Sequence, residues 1–210
     1  EPGQRDAEPR TSSKGGRRLH PHACRLLGGR ATKPVGASKG LMMVYTGNGK
    51  GKTTAALGMV LRAAGHGKRA YIIQFMKGDE DYGEVRAIRR YLPDVTLVQS
   101  GLPSFVNRRS PSEEDIRLAK EGLALARKIL ADGEWDLVVL DEVNVAIDYG
   151  LLESQEVLDA VLGRALGVDV ILTGRYAPKE LTDAADMVSE VREIKHHYRS
   201  GVKAKAGVEY

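Results

Sequence analysis

From residue 41 onward, short apolar runs alternate with longer stretches in which apolar residues recur at helical spacing. Residues 41–45, 70–75, 95–99, 137–142, 168–172 and 187–192 are too short for typical helices and predict strands. Between them, Leu57, Val60 and Leu61 share one helical face, as do Ile116, Ala119, Leu123, Ala126 and Leu130. Residues 84–91, 154–166 and 178–185 predict three further helices. Gly65 with Gly67, Pro93, Gly133 and Gly167 supply the stops. Ser110-Pro111-Ser112-Glu113 predicts a helix start, with Ser110 as N-cap and Pro111 at the first helical position. Strands alternating with helices predict an α/β fold: a mostly parallel sheet of five to six strands with helices on both faces.

Both ends of the chain depart from this rhythm. Residues 1–39 mix Pro, Gly, Ser and Arg without an apolar period, so a disordered extension is expected there, followed by one domain over residues 40–210. The final run, residues 195–210, has no clear period and reads as a loose tail. No internal repeat is present.

The chemistry is concentrated between the first strand and the first helix, at Gly47-Asn48-Gly49-Lys50-Gly51-Lys52-Thr53-Thr54. Glycines let the backbone curl so that several N–H groups face one concavity, and a helix starting near Lys52 adds its unpaired N–H groups and positive dipole end. Lys52 can place a charge on phosphate oxygens, and the Thr53 hydroxyl can ligate Mg²⁺. The match to G-x-x-x-x-G-K-[ST] is one residue short, because Thr46 stands where the first glycine belongs. A glycine-rich turn that merely carries lysines is the bland alternative; the flanking strand and helix favour the nucleotide.

Other polar residues fall where an open α/β sheet places its ligand, at strand C-terminal ends. The strand closing on Asp141-Glu142 is the expected second half of a Mg²⁺ site, delivered from a strand beside the loop strand. Residues 76–83 form a polar loop on the ligand side. Arg175 can contact a phosphate or a substrate carboxylate, or simply face water. Phe105 lies in a loop over residues 100–109, either as a loop anchor or facing a ligand. His20, His22 and Cys24 are close in sequence by incidental placement, and His66, His196 and His197 receive no chemistry. These residues alone reach a Mg²⁺-dependent nucleoside triphosphate binder; the acceptor stays open.

Composition narrows the class. The chain is 42% hydrophobic and 29% charged, an ordinary soluble balance, and no run nears the roughly 18 to 20 apolar residues of a bilayer span. One cysteine excludes an internal disulfide and suits a reducing cytoplasm, the expected location. Residues 1–40 hold nine Lys or Arg against three Asp or Glu, so of the net charge of +4 the remaining chain carries −2. Neither a nucleic-acid nor a membrane partner is expected from such a body. An Arg-rich leader of the organellar kind is disfavoured by Glu1, Asp6, Glu8 and the prolines.

The motifs TGNGKGKTTAALG (46–58), GHGK (65–68), QFMKG (74–78), VVLDE (138–142), LTGR (172–175), DMVSEVREIKHH (186–197) and the ending GVKAKAGVEY resemble the ATP:corrinoid adenosyltransferases of cobalamin biosynthesis and salvage. The resemblance spans residues 41–210 and implies a P-loop NTPase-like fold. It implies transfer of the 5′-deoxyadenosyl group of ATP to the Co(I) centre of a corrinoid, cobalamin or cobyrinic acid a,c-diamide, with release of triphosphate. Nucleotide-binding residues would then be Thr46, Gly47, Asn48, Gly49, Lys50, Gly51, Lys52, Thr53, Thr54, Arg62 and Arg175, with Thr53, Asp141 and Glu142 on Mg²⁺. Lys52 would act on the leaving group, and Phe105 on the corrinoid's lower axial ligand. Relatives carry aromatics in that loop, whereas this chain has Leu102, Pro103, Ser104 and then Phe105. The resemblance also implies a flavin- or flavodoxin-type reductase, a homodimer, and an N-terminal segment that can cover the corrinoid. A P-loop ATPase or kinase acting at the γ-phosphate, and a nucleotide-gated corrinoid carrier, are the alternatives.

Overall fold

The six apolar runs become six parallel strands, joined by crossovers long enough to hold helices, as parallel pairing requires. In the computed structural model, which describes residues 39–209, these are β1 (Met42–Thr46), β2 (Ala70–Phe75), β3 (Val95–Ser100), β4 (Leu137–Asp141), β5 (Asp169–Thr173) and β6 (Met187–Glu190). They form one sheet in the order β3-β2-β4-β5-β1-β6. The helices are α1 (Lys52–Gly65), α2 (Gly83–Tyr91), α3 (Glu113–Asp132), α4 (Val143–Asp148), α5 (Ser154–Leu162) and α6 (Lys179–Ala184), with a 3₁₀ turn over His197–Ser200. The expected extension over residues 1–39 lies, but for Lys39, outside the described residues.

Helices cover both faces, so the central strands are near-continuous apolar runs rather than alternating, with Gln74 and Asp141 as polar exceptions near their C-terminal ends; every residue of β2 and β4 is buried. Successive side chains still part to opposite sides. Met42, Val44, Ile73 and Phe75 join Leu123, Ala126 and Leu130 of α3 in one core. Met43, Tyr45 and Ile72 meet Ala56 and Val60 of α1 and Ile88 of α2 in the other. The chain thus leaves β1 and β2 toward one face and leaves β3, β4 and β5 toward the opposite one. A crevice opens at the strand C-termini between elements that diverge in this way.

Three local expectations change. Helix α3 is capped by Ser112, not Ser110: Ser112 Oγ accepts from Asp115 N at 3.1 Å and the Asp115 carboxylate accepts from Ser112 N at 3.0 Å. This reciprocal box satisfies two otherwise unpaired donors, and Pro111 is left outside the helix. Helix α5 ends at Leu162, four residues early, because Gly163 caps it and the buried Arg164 guanidinium donates to the carbonyls of Val161, Val168 and Gly40. Helix α4 follows β4 directly, with Glu142 at φ 60 turning the corner.

Candidate nucleotide site

Two glycines make the turn after β1 possible. Gly47 has φ 95, and a Cβ there would lie 2.5 Å from the Val191 carbonyl oxygen; Gly51, at φ 119, starts α1. The loop is tied to the chain just beyond β6: Gly49 N donates to Val191 O at 2.7 Å, and Asn48 Oδ1 accepts from Glu193 N at 3.2 Å. Thr46 Oγ1 accepts from Ala177 N at 3.2 Å. Thr46, Gly47 and Asn48 therefore brace the loop, while Gly49, Lys50, Gly51, Lys52, Thr53 and Thr54 line a cavity of about 530 Å³. Gly51 gives α1 no side-chain cap and its first turn has no acid, so its leading N–H groups stay available to an anion.

Lys52 is buried beneath this turn and donates from Nζ to the Gly49 carbonyl at 2.7 Å. Burial pushes its ammonium below the ordinary lysine range, against the pull of Glu142 and Asp141. The charge stands under the concavity with one hydrogen bond among the described residues to exchange for a phosphate oxygen.

The acids arrive differently from expectation. Strand β4 is not beside β1; β5 intervenes, and Thr173 at its end bridges the gap. Asp141 Oδ1 accepts the hydroxyls of Thr53 at 2.8 Å and Thr173 at 2.7 Å. Asp141 Oδ2 accepts from Lys77 Nζ at 2.9 Å and Gln74 Nε2 at 3.2 Å. Burial alone would raise this carboxyl, but the Lys77 ammonium and the two hydroxyls hold it below its ordinary value. Its neighbour moves the opposite way: burial and the Asp141 charge raise the Glu142 carboxyl, which faces the cavity. Two adjacent carboxyls with pKa values pushed apart are common at working sites. Backbone strain gathers on the same edge, since among the described residues the non-glycine positions with positive φ are Met76, Glu142 and Tyr176, each shortly beyond a strand's C-terminus.

The family model for "ATP:corrinoid adenosyltransferase BtuR/CobO/CobP" matches residues 38–210. The chain belongs to this family. Among curated relatives, the corrinoid adenosyltransferase of Pseudomonas aeruginosa is 39% identical over 172 residues, covering 82% of this chain and 84% of the relative. That of Escherichia coli is 38% identical over 172 residues, covering 82% and 86%. The Salmonella typhimurium relative is 38% identical over 173 residues, with the same coverage. The family resemblance drawn from the motifs is thus met.

The structure does not bring every family-implied residue to the cavity. Arg175 lines it from the end of β5. Arg62 does not: it lies in the last turn of α1, ten residues and about 15 Å from Lys52. There its Nη1 approaches Met59 Sδ at 3.7 Å, beside a second small cleft that includes Met43, His66 and Asp169. Phe105 is fully exposed and stands outside the cavity lining, so it anchors no satellite core.

Conversely, the tail read as loose folds back over the phosphate loop. Lys50 Nζ meets Glu209 Oε2 at 3.0 Å, and Glu209 Oε1 lies 3.4 Å from His197 Nε2 and 3.9 Å from His196 Nε2. His196, Gly207, Val208 and Glu209 form one cavity wall. The hydrogen bond from Lys50, with the Lys50 and histidine charges, holds the Glu209 carboxyl below its usual range. Polar side chains make these contacts, so no apolar period announced them. Lys77, Tyr82 and Glu84 also line the cavity, in and just after the loop predicted to face the ligand. Gln74 and Thr173 were visible only as polar residues at the ends of apolar strands.

Proposed function

We propose that this chain transfers the 5′-deoxyadenosyl group of ATP to the Co(I) centre of a corrinoid and releases triphosphate, in cobalamin biosynthesis or salvage. The observation that carries the reading is the shortened loop, seated with its buried lysine in a chain of this family. The electron pair of the reduced cobalt forms the bond to C5′, the C5′–O5′ bond breaks, and its pair leaves on triphosphate. The metal is itself the nucleophile, so no side-chain base has to create one. The protein's tasks are to hold C5′ in line and to meet the charge growing on the leaving group. Loop N–H groups, Lys52 and Arg175 suit the second task, with Lys50 and Lys77 on the same cavity wall.

The reading includes Mg²⁺. Thr53, Asp141 and Glu142 converge as oxygen donors, which suit a hard cation, and the Thr53 hydroxyl gives its proton to Asp141 while keeping lone pairs free. These three residues would hold the ion, which supplies positive charge to the departing triphosphate. The reading further includes a flavin- or flavodoxin-type electron donor, a homodimer and a cytoplasmic location. Among the described residues no helix is long and apolar enough to cross a membrane.

Product analysis with ATP, Mg²⁺ and chemically reduced corrinoid tests the reaction. Triphosphate together with a cobalt–carbon bond supports it. ADP with phosphate would make the chain a γ-phosphate enzyme, and binding without turnover would make it a carrier.

A further inference from the structure

One charged group lining this site is bound to a carboxylate rather than free to meet a phosphate. Lys77 Nζ is 2.9 Å from Asp141 Oδ2, and the two side chains are 17% and 1% exposed. The other oxygen of Asp141 already accepts two hydroxyl protons. The ammonium sits on the second oxygen beside the neutral Gln74 amide at 3.2 Å and is the group that brings positive charge to this carboxylate. A divalent cation drawn to Thr53 and Asp141 would meet it there, and two cations cannot share one carboxylate oxygen without strong repulsion.

Lys77 also has somewhere to go. Glu84 Oε1 lies 3.9 Å away, the Tyr82 ring centre is 5.6 Å from Nζ, and all three residues line the cavity that the phosphates would fill. Its four-carbon stem with three donors can swing where a planar guanidinium would not follow as freely. The loop carrying it is fixed at the backbone. A Cβ on Gly78 would lie 2.3 Å from Gly101 O, and a Cβ on Gly101 would lie 2.5 Å from Lys77 N. A swing of the side chain needs no shift of this close-packed backbone.

We propose that Lys77 is a positioning residue that stands in for the divalent cation on Asp141 in the nucleotide-free protein. It yields that oxygen when the cation enters with ATP and turns onto the triphosphate. The stand-in keeps a buried carboxylate ionised and in place before substrate arrives, and couples cation entry to delivery of a further positive charge to the leaving group. This rests on the divalent-cation part of the function proposed above.

The test is Mn²⁺ binding to the nucleotide-free full chain, read from the loss of the free-ion electron paramagnetic resonance signal, for the wild type, K77M and K77R. Removing the resident charge should tighten Mn²⁺ binding by about tenfold or more. K77R, which keeps a charge, should bind no more tightly than the wild type. Equal or weaker binding in K77M overturns the stand-in role. In K77M the buried Asp141 has lost its partner, so its melting temperature should fall and be restored by Mn²⁺. K77M/D141N, lacking both charges, should fold without the ion and lose the tight site. A K77M chain that stays unfolded in Mn²⁺ while the double variant folds also counts against the proposal. A control separates the two readings: if Mn²⁺ raises the wild-type melting temperature with ATP but K77M gains no affinity, only the stand-in fails. No Mn²⁺ effect on the wild type with ATP sinks the cation site itself, and this inference with it.

Discussion

Two loops leave the same edge of the sheet and are held in opposite ways. The phosphate loop after β1 is tied along its length, to Val191 and Glu193 beyond β6, to Ala177 after β5 and to Glu209 near the chain's end. The loop after β3 is held at its roots and by Val106, which packs against the core. Gly101 packs against the backbone of Met76 and Lys77, and Arg108 pairs with Asp148 at 2.9 Å between the rings of Tyr149 and Tyr176. Between those roots Ser104 and Phe105 are bare. Stabilising charge on a leaving group requires donors already in place, because reorganising them during reaction would cost the energy they are meant to supply. An aromatic that works against a broad, partly apolar ring gains its packing from that substrate, and needs only a well-held base.

The comparison breaks first at Asp141, the densest knot of the braced side. Asp141→Ala strips the mostly buried Lys77 of its carboxylate at 2.9 Å, leaving Glu84 at 3.9 Å, and should cost about 3 kcal/mol, measured by urea unfolding. The loss should depend on pH. A carboxyl held below its ordinary value of 3.8 contributes stability that is present above that value and disappears as pH falls through the folded-state pKa. The gap between wild type and variant should therefore be full near neutrality and narrow below about pH 4. A gap constant down to pH 2 would mean that the side chain's packing, and not its charge, was lost.

Lys52→Ala comes next. It removes a charge-assisted contact made chiefly as leaving-group charge builds, so turnover should fall about ten- to a hundredfold while corrinoid affinity changes little. Turnover equal to the wild type would mean that Lys52 never reaches the leaving group.

Gly101→Ala tests the root at which the loop after β3 packs against the loop after β2. The added Cβ would lie 2.5 to 2.7 Å from backbone atoms of Met76 and Lys77, which cannot rotate away as a side chain could. A cost of about 1 to 3 kcal/mol in unfolding is expected, as for other overpacked positions. A neutral substitution would show that the two loops slide freely past one another.

The braced loop was also the more legible one. Its glycines, lysines and threonines act within a few residues of one another, so spacing between a strand and a helix was enough to place them. Sheet order was not readable, because the β1 to β2 crossover skips β4 and β5, and nothing in an apolar run names its neighbour. Hence the contact of Thr173 with Asp141 was invisible although both residues stood at predicted strand ends. Helix α4 was hidden because only six residues follow β4 without an intervening turn signal, Glu142 taking a left-handed conformation that usually falls to glycine or asparagine. The closing segment was misread because it is built from turns at Gly201 and Gly207 and a polar contact from Glu209 to Lys50, 159 positions away. Arg62, by contrast, was implied by the family resemblance alone, and it lies in the last turn of α1, outside the cavity lining.

Phe105→Ala should have the smallest effect on the fold and the most selective effect on function. The side chain is fully exposed and closes no core, so unfolding free energy should change by no more than about 0.5 kcal/mol. If the ring works by displacing the lower axial ligand so that cob(II) can be reduced, the variant should be impaired with cob(II) and reductant. It should react almost normally with chemically supplied cob(I). Equal losses with both forms would place Phe105 in general corrinoid binding. An unchanged rate with both would show that this loop's single aromatic has no part in the reaction, leaving its partly buried neighbour Leu102 to meet the substrate.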